Sequence, residues 1–220
     1  VVLGDALLEE VTWFVAATIG SAATRLEDCV AIGIDIPIGL PDSGSRQCDI
    51  LARKRLSPRR SSSVFPAPIR PLLGISDYRE ACARRQAIDG KRMSLQAFNI
   101  LHKVDEVDHF VRATGDTPFA MYEVHPELAF AALSDGVPMH DPKRKAEGCA
   151  ERVAHLADFF GREMLEAAMA TFPRSQVARD DVLDAFAILV AASRIARGWG
   201  RRLPDHAELD SVGIDMAIWF

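Results

Sequence analysis

The chain has 220 residues, of which 49% are hydrophobic and 26% charged, a composition typical of a globular protein large enough to bury a core. Its formal net charge of −5 gives no overall basic field for nucleic acid or an anionic membrane, so a polyanion would need a local basic patch. No apolar run approaches the roughly 20 residues of a membrane span, and the four scattered cysteines, without a Cys-x-x-Cys pair, indicate reduced thiols in a cytoplasmic protein rather than a zinc site.

The first part of the chain predicts two strands and a short helix. Residues 1–3 and 11–18 have the apolar, β-branched character of strands, and the Gly-Asp pair at positions 4 and 5 favours a turn, so a hairpin is expected. Residues 21–29 suit a short crossover helix with Ser21 as its N-cap.

One carboxylate interrupts the apolar stretch VAIGIDIPIGLP at residues 30–41. The β-branched residues predict a strand buried on both faces, where a charge is not expected. Because Pro37 ends the strand, Asp35 would emerge at the C-terminal edge of the sheet, where α/β proteins hold metals and ligands. Asp35 is therefore either a ligand of such a site or an acceptor for backbone N–H groups in the Pro/Gly turn that follows.

Positive charge is concentrated in residues 46–60. The segment RQCDILARKRLS predicts a helix with a basic outer face, which Pro58 stops, and the Ser/Pro-rich loop RRSSSVFPAP continues from Arg59. Two interpretations stay open. The segment is either a phosphate-contacting surface near Asp35 or a solvated helix face followed by a polyproline-like loop.

Two further helices are expected at residues 78–88 and 93–113, separated by Asp-Gly-Lys. The second carries an apolar stripe with spacings of three and four. Lys103 and Glu106, on other faces of that helix, are predicted to form an ordinary intrahelical ion pair.

A second carboxylate, Glu123, ends the strand predicted at residues 119–124. In the sequence EVHPE, the side chains of Glu123, His125 and Glu127 would point the same way if the extended backbone continued. If Pro126 instead opens a helix, Glu127 enters its first turn and only Glu123 and His125 stay together.

Helices are also predicted at residues 162–170 and 177–197, and another follows the charged run DPKRK, a second and weaker basic cluster. In RDDVLDAFA, Asp184 shares a helix face with Asp180 and with Asp181. Burying Asp184 in this apolar context would cost several kcal/mol unless a cation or donor compensates, which favours a functional role. The final run, MAIWF, is predicted to be a short strand or a docked terminus.

Seven motifs, in this order along the chain, resemble the family called domain of unknown function 429, described as predicted nucleases with a ribonuclease H-like fold: IGIDIPIGLP, CD-x-x-AR, RRSSSVFPAP, GKRMSLQAFNILHKVDEVD, YEVHPE, DDVLDAFA and GIDMAIW. The resemblance implies an α/β fold with a mixed five-stranded sheet, its first three strands antiparallel, flanked by helices. It further implies one domain over residues 1–220, with a mostly helical insertion around residues 46–115.

Members of that family usually open with a strand ending in a Gly-Val-Asp-Gly-like segment, whose Asp is the central metal ligand. Because no such segment is found in this sequence, the first strand is expected to be missing or truncated. The other expectation is a degenerate member with weak or no catalysis.

The resemblance also implies a metal site and its surroundings. Asp35, Glu123 and Asp181 or Asp184 would hold two divalent cations, Mg²⁺ or Mn²⁺, which activate water and stabilise the leaving oxygen in phosphodiester cleavage. Lys103, His125 and Glu127 would orient phosphate or water. The backbone of the substrate would be bound by Arg59, Arg60, Ser62, Ser63 and Lys91.

Three functions are compatible with these patterns. The leading hypothesis is a metal-dependent phosphodiester hydrolase, a nuclease acting on DNA or RNA. The second is a non-catalytic module that binds nucleic acid or a nucleotide, and the third is a protein of related fold with a small phosphorylated ligand, which the lack of a Gly-rich phosphate loop disfavours. The sequence leaves open whether two copies form a homodimer.

Overall fold

Helices dominate the computed structural model, which describes residues 1–113 and 120–220. The described part contains these α-helices: α1 (Ile19–Ala23), α2 (Gln47–Arg55), α3 (Tyr78–Asp89), α4 (Leu95–Asn99), α5 (Leu101–Ala113), α6 (Pro126–Leu133), α7 (Ala146–Phe160), α8 (Arg162–Thr171) and α9 (Arg179–Ala196). Its strands are β1 (Val2–Gly4), β2 (Val11–Trp13), β3 (Ala31–Ile34), β4 (Ala120–Glu123), β5 (Arg202–Leu203) and β6 (Ile218–Trp219), and short 3₁₀ turns cover Ser61–Ser63 and Arg70–Leu72.

The strands form three separate two-stranded sheets, so the predicted mixed five-stranded sheet of a ribonuclease H-like fold is wrong. Strands β1 and β2 pair antiparallel, β3 and β4 pair parallel, and β5 and β6 pair antiparallel. Within the described residues, β1 and β3 are not paired with each other, because an apolar groove of about 470 Å³ lies between them. A single bridge between Val124 and Trp219 connects the ends of β4 and β6.

Helix α9 is the centre of the largest hydrophobic core. Its buried Phe186 lies between the rings of Trp13 and Phe160, with centroid distances of 6.1 and 4.9 Å. Strand β3 also packs on α9, and Gly33 permits the close approach, since a Cβ there would lie 2.6 Å from Cγ2 of Ile188. This packing places the end of β3 beside the N-terminal half of α9.

Two local expectations about helices are corrected. Helix α1 begins after Thr18, whose side chain accepts from the Ser21 N–H, and Ser21 is the reciprocal member of this capping box rather than the N-cap. The helix expected over residues 93–113 is divided at Ile100 into α4 and α5. Glu106 accepts from the Ile19 N–H at 2.7 Å, and within the described chain it forms no ion pair with Lys103.

No helix in residues 1–113 or 120–220 has the length and apolar character needed to cross a lipid bilayer. The residue Phe119, with which the fourth predicted strand began, lies outside the described residues.

A candidate carboxylate site at the start of helix α9

The parallel strands β3 and β4 direct their two terminal carboxylates to opposite faces. Ile34 is aligned with Glu123, and Asp35 follows Ile34 directly. Because successive side chains alternate across a strand, Asp35 lies on the face that Gly33 presents to α9, whereas Glu123 lies on the other face. The structure therefore does not bring these two predicted ligands together.

Glu123 is held by a buried arginine. Arg46, only 1% exposed, donates to both carboxylate oxygens at 2.6 and 2.8 Å, and the Ile38 N–H donates to one of them at 2.7 Å. Arg46 also pairs with Asp49, at 2.6 Å. This bidentate ion pair joins the end of β4 to the start of α2 and occupies both oxygens of Glu123.

Asp184 is buried on the first turns of α9, with one of its two oxygens paired. Its Oδ2 accepts from the Lys143 ammonium at 2.5 Å, and the same ammonium lies 3.6 Å from Asp180. Its Oδ1 is shielded from solvent and has no hydrogen-bond donor in the described part of the chain. Burial raises the pKa of Asp184 to about 6 although Lys143 opposes the shift, and the nearby charges of Asp35 and Glu127 add to it.

Glu127 carries a second buried oxygen of this kind. Pro126 opens α6, so the alternative in which Glu127 enters a first helical turn is the observed one. Oε1 of Glu127 accepts from the fully buried Arg152 at 2.5 Å, whereas Oε2 has no donor among the described residues.

Asp35, Asp181 and Asp184 each interact electrostatically with Lys143, and Glu127 interacts with Asp184. Asp35 and Asp181 are both exposed to solvent. Protein atoms nevertheless surround the Asp35 carboxylate closely, and this burial raises its pKa to about 6. Lys143 opposes that shift and Asp181 adds to it, so the two carboxylates and the ammonium interact electrostatically. We name Asp35, Glu127, Asp181 and Asp184 the carboxylate site.

The loop that carries Lys143 is fixed on the first turns of α7. A Cβ at Gly148 would lie 2.1 Å from the Pro142 carbonyl oxygen, so only glycine lets the loop cross the helix this closely. The Glu151 carboxylate accepts from the backbone N–H groups of residues 140 and 141, at 2.7 and 2.9 Å. These contacts direct Lys143 towards α9, a role that the weak basic run in the sequence did not reveal.

His125 links two elements instead of facing the carboxylates with a free nitrogen. Its Nδ1 accepts from the Glu127 N–H at 3.2 Å, so Nε2 carries the proton and donates to the Ser63 carbonyl at 3.3 Å. Burial lowers the pKa of His125, which favours this neutral form. His125 therefore caps α6 and ties it to the turn Ser61–Ser63.

Some of the predicted phosphate-binding side chains bond to backbone carbonyl groups, and the others are exposed on the surface. Arg60 donates to the carbonyl groups of Met139 and His140 at 2.9 and 2.6 Å, and Ser63 Oγ donates to the Arg60 carbonyl. The side chains of the other predicted residues are exposed: Arg59, Ser62, Lys91 and Lys103. In the described residues, none of these four forms an ion pair with the carboxylate site.

Within the described chain, no three or more His, Cys, Asp and Glu side chains are already arranged as metal ligands. The donor set nevertheless suits a hard divalent cation, because Asp184 Oδ1 and Glu127 Oε2 are buried oxygens without a donor. Such oxygens are the ligands that Mg²⁺ prefers, and Asp35 and Asp181 would add two more carboxylates. The set differs from the predicted one because Glu127 stands in the place expected for Glu123.

Comparisons with known proteins bear on the family alone. A search of curated proteins and a search of solved structures each returned no match. A family model described as "Protein of unknown function (DUF429)" matches residues 3–209, nearly the whole chain, and this confirms the resemblance inferred from the motifs. The chain belongs to the DUF429 family.

Proposed function

We propose that this chain is a divalent-metal-dependent phosphodiester hydrolase, a nuclease, and that its reaction takes place at the carboxylate site. The observation that supports the proposal is the pair of buried, donor-less oxygens, Asp184 Oδ1 and Glu127 Oε2. Leaving a buried acceptor unpaired costs about 1–3 kcal/mol, more when the group is charged. A cation bound between carboxylates offsets that cost.

The residues of the site have separate roles in this proposal. Glu127 and Asp184 would hold Mg²⁺ or Mn²⁺ together with Asp181. Such a cation supplies Lewis-acid polarisation of a phosphoryl oxygen and lowers the pKa of a bound water. Asp35, exposed and with its pKa raised to about 6, takes a proton from water near neutral pH. Lys143 presents a positive charge to the phosphate.

The direct test is a cleavage assay on labelled DNA and RNA, in Mg²⁺, in Mn²⁺ and in EDTA. We expect cleavage by the wild type in metal but not in EDTA, with at least a hundredfold loss in Asp184→Asn and Glu127→Gln. Glu9→Gln, a charge removal on an exposed residue of the β1–β2 turn, is the matched control and should retain full activity. Activity retained by both site variants would refute the assignment.

A second candidate is a non-catalytic protein that binds nucleic acid or a phosphorylated ligand. It is favoured by Lys143, whose ammonium already neutralises Asp184 and lies near Asp180 without any metal. Calorimetric titration with Mn²⁺ separates the two candidates. Binding by the wild type that is lost in Asp184→Asn supports the hydrolase, and heat changes equal to buffer in the wild type and in Lys143→Met support the second candidate.

We also place this activity in the cytoplasm. The support is that Cys29, Cys48, Cys82 and Cys149 are all free thiols, as expected in a reducing compartment.

A further inference from the structure

A basic recess borders the carboxylate site. It has a volume of about 940 Å³ and lies between α7, α8 and the start of α9. Its six basic and three acidic lining side chains leave an excess of three positive charges, on a chain whose net charge is −5: Lys143, Arg144, Lys145, Arg162, Arg174 and Arg179, against Glu166, Asp180 and Asp181.

Most of these cations have no anionic partner in the part of the chain that the structure describes. In the described residues, four of them form no ion pair: Lys145, Arg162, Arg174 and Arg179. Arg144 approaches Asp180 only at 3.9 Å, with its side chain 89% exposed. Like charges gathered in one concave surface repel one another, so an anion in the recess would be attracted by several of them at once.

Two long helices also begin at this recess. Helix α7 has 15 residues and α9 has 18, and Ala146 and Arg179, their first residues, both line the recess. The residues preceding them, Lys145 and Ala178, make no side-chain capping hydrogen bond. Both helices therefore start at the recess without a capping side chain, and the N-terminus of a long helix favours an anion.

We propose that the basic recess binds the phosphodiester backbone of a nucleic-acid strand and leads that strand to the carboxylate site. The direction of the path rests on the proposed function: Asp181, a residue of the carboxylate site, and Lys143, the partner of Asp184, both line the recess. Among the residues that the structure describes, the lining contains no aromatic side chain on which a base could stack. Recognition is therefore of the backbone and independent of base sequence, which favours a polymer of phosphates over a single nucleotide.

The test measures binding without cleavage. Fluorescence anisotropy with labelled single-stranded DNA and RNA of mixed sequence, in EDTA, gives the affinity at several NaCl concentrations. Four unpaired cations predict a slope of log K against log salt of about −3, since each neutralised phosphate of a single strand contributes about −0.7. The double variant Arg162→Gln, Arg174→Gln should reduce the slope by about 1.4 and weaken binding at least tenfold at low salt.

A matched control has the same charge change outside the recess. Arg79→Gln combined with Arg84→Gln removes two exposed positive charges from helix α3 and should leave the slope unchanged. Circular dichroism establishes that both double variants are folded. No binding by the wild type at the lowest salt overturns the inference, and so does an equal loss in the two double variants. Equal competition by polyglutamate or by anionic vesicles would assign the recess to a different class of polyanion and also overturn it.

The same experiment separates this inference from the proposed function. Asp184→Asn frees the ammonium of Lys143 in the lining and should bind the oligonucleotides at least as tightly as the wild type in EDTA. Binding with the expected slope but without cleavage in metal supports the recess and refutes the hydrolase. Cleavage that is unaffected by the Arg162 and Arg174 substitutions supports the hydrolase and refutes the recess.

Discussion

Replacing Asp184 by Asn tests whether the buried charge of the carboxylate site lowers the free energy of unfolding. Burial raises the pKa of Asp184 from its ordinary value of 3.8 to about 6, even with the ammonium of Lys143 at 2.5 Å. The folded state therefore binds the proton more tightly than the unfolded chain does. Between these two pKa values the folded protein binds more protons than the unfolded chain does. The free energy of unfolding therefore falls as the pH rises.

The size of the effect follows from the shift. A difference of about two pH units corresponds to about 3 kcal/mol at about 1.36 kcal/mol per unit. Asn resembles the protonated side chain at every pH. We therefore expect Asp184→Asn to exceed the wild type in unfolding free energy by about 1 kcal/mol at about pH 4.5 and by about 3 kcal/mol at about pH 7.5.

Urea unfolding followed by circular dichroism, in EDTA at the two pH values, measures this difference. Gly20→Ala is the control, because it changes no titratable group, and its stability difference from the wild type should be the same at both pH values. A variant that is less stable than the wild type at the higher pH would refute the reasoning. A stability difference that is the same at both pH values would refute it equally.

Other substitutions test the contacts around the site. Glu123→Ala leaves Arg46 buried without its main partner, so the free energy of unfolding measured in urea should fall by about 3–5 kcal/mol. A loss under about 1 kcal/mol contradicts the structural role of this pair. Gly33→Ala places a Cβ 2.6 Å from a side chain of α9 and should lower the free energy of unfolding by about 1–3 kcal/mol. Gly20→Ala, in α1 where a Cβ has space, should raise it by about 0.5–1 kcal/mol. Equal effects of the two substitutions would contradict the close packing at Gly33. Gly148→Ala should displace the loop that carries the lysine and raise the pKa of the Asp184 carboxyl in a carbon NMR titration; an unchanged pKa argues against positioning by this glycine.

Local features of the fold could be read from the sequence because they depend on neighbouring residues. The helix predicted at residues 177–197 corresponds to α9, and Pro126 marked the start of α6. The positions of Asp35 and Glu123 at strand ends were predicted from the prolines and from the β-branched runs. The faces of these two side chains were not predicted, because the face depends on the register between β3 and β4, which no single strand encodes.

The long-range partners could not be predicted for the same reason. Arg46 lies 77 positions from Glu123, and Lys143 lies 41 positions from Asp184. Each basic residue belonged to a run that also suits a solvated surface, so only the tertiary structure distinguishes the buried ones. The absence of a continuous sheet in the described residues is likewise a matter of spacing between β1 and β3, which strand patterns do not specify.

The groove between β1 and β3 has a consequence for cooperativity. The hairpin β1–β2 is attached to α9 through side chains. The ring of Trp13 packs against that of Phe186, and Ser193 Oγ donates to the Ala6 carbonyl at 2.7 Å. The hairpin can therefore open without breaking a ladder hydrogen bond of β3. In native-state hydrogen exchange, the amides of the hairpin should exchange through a local opening of lower free energy, whereas those of β3 and α9 should report the global unfolding of the chain.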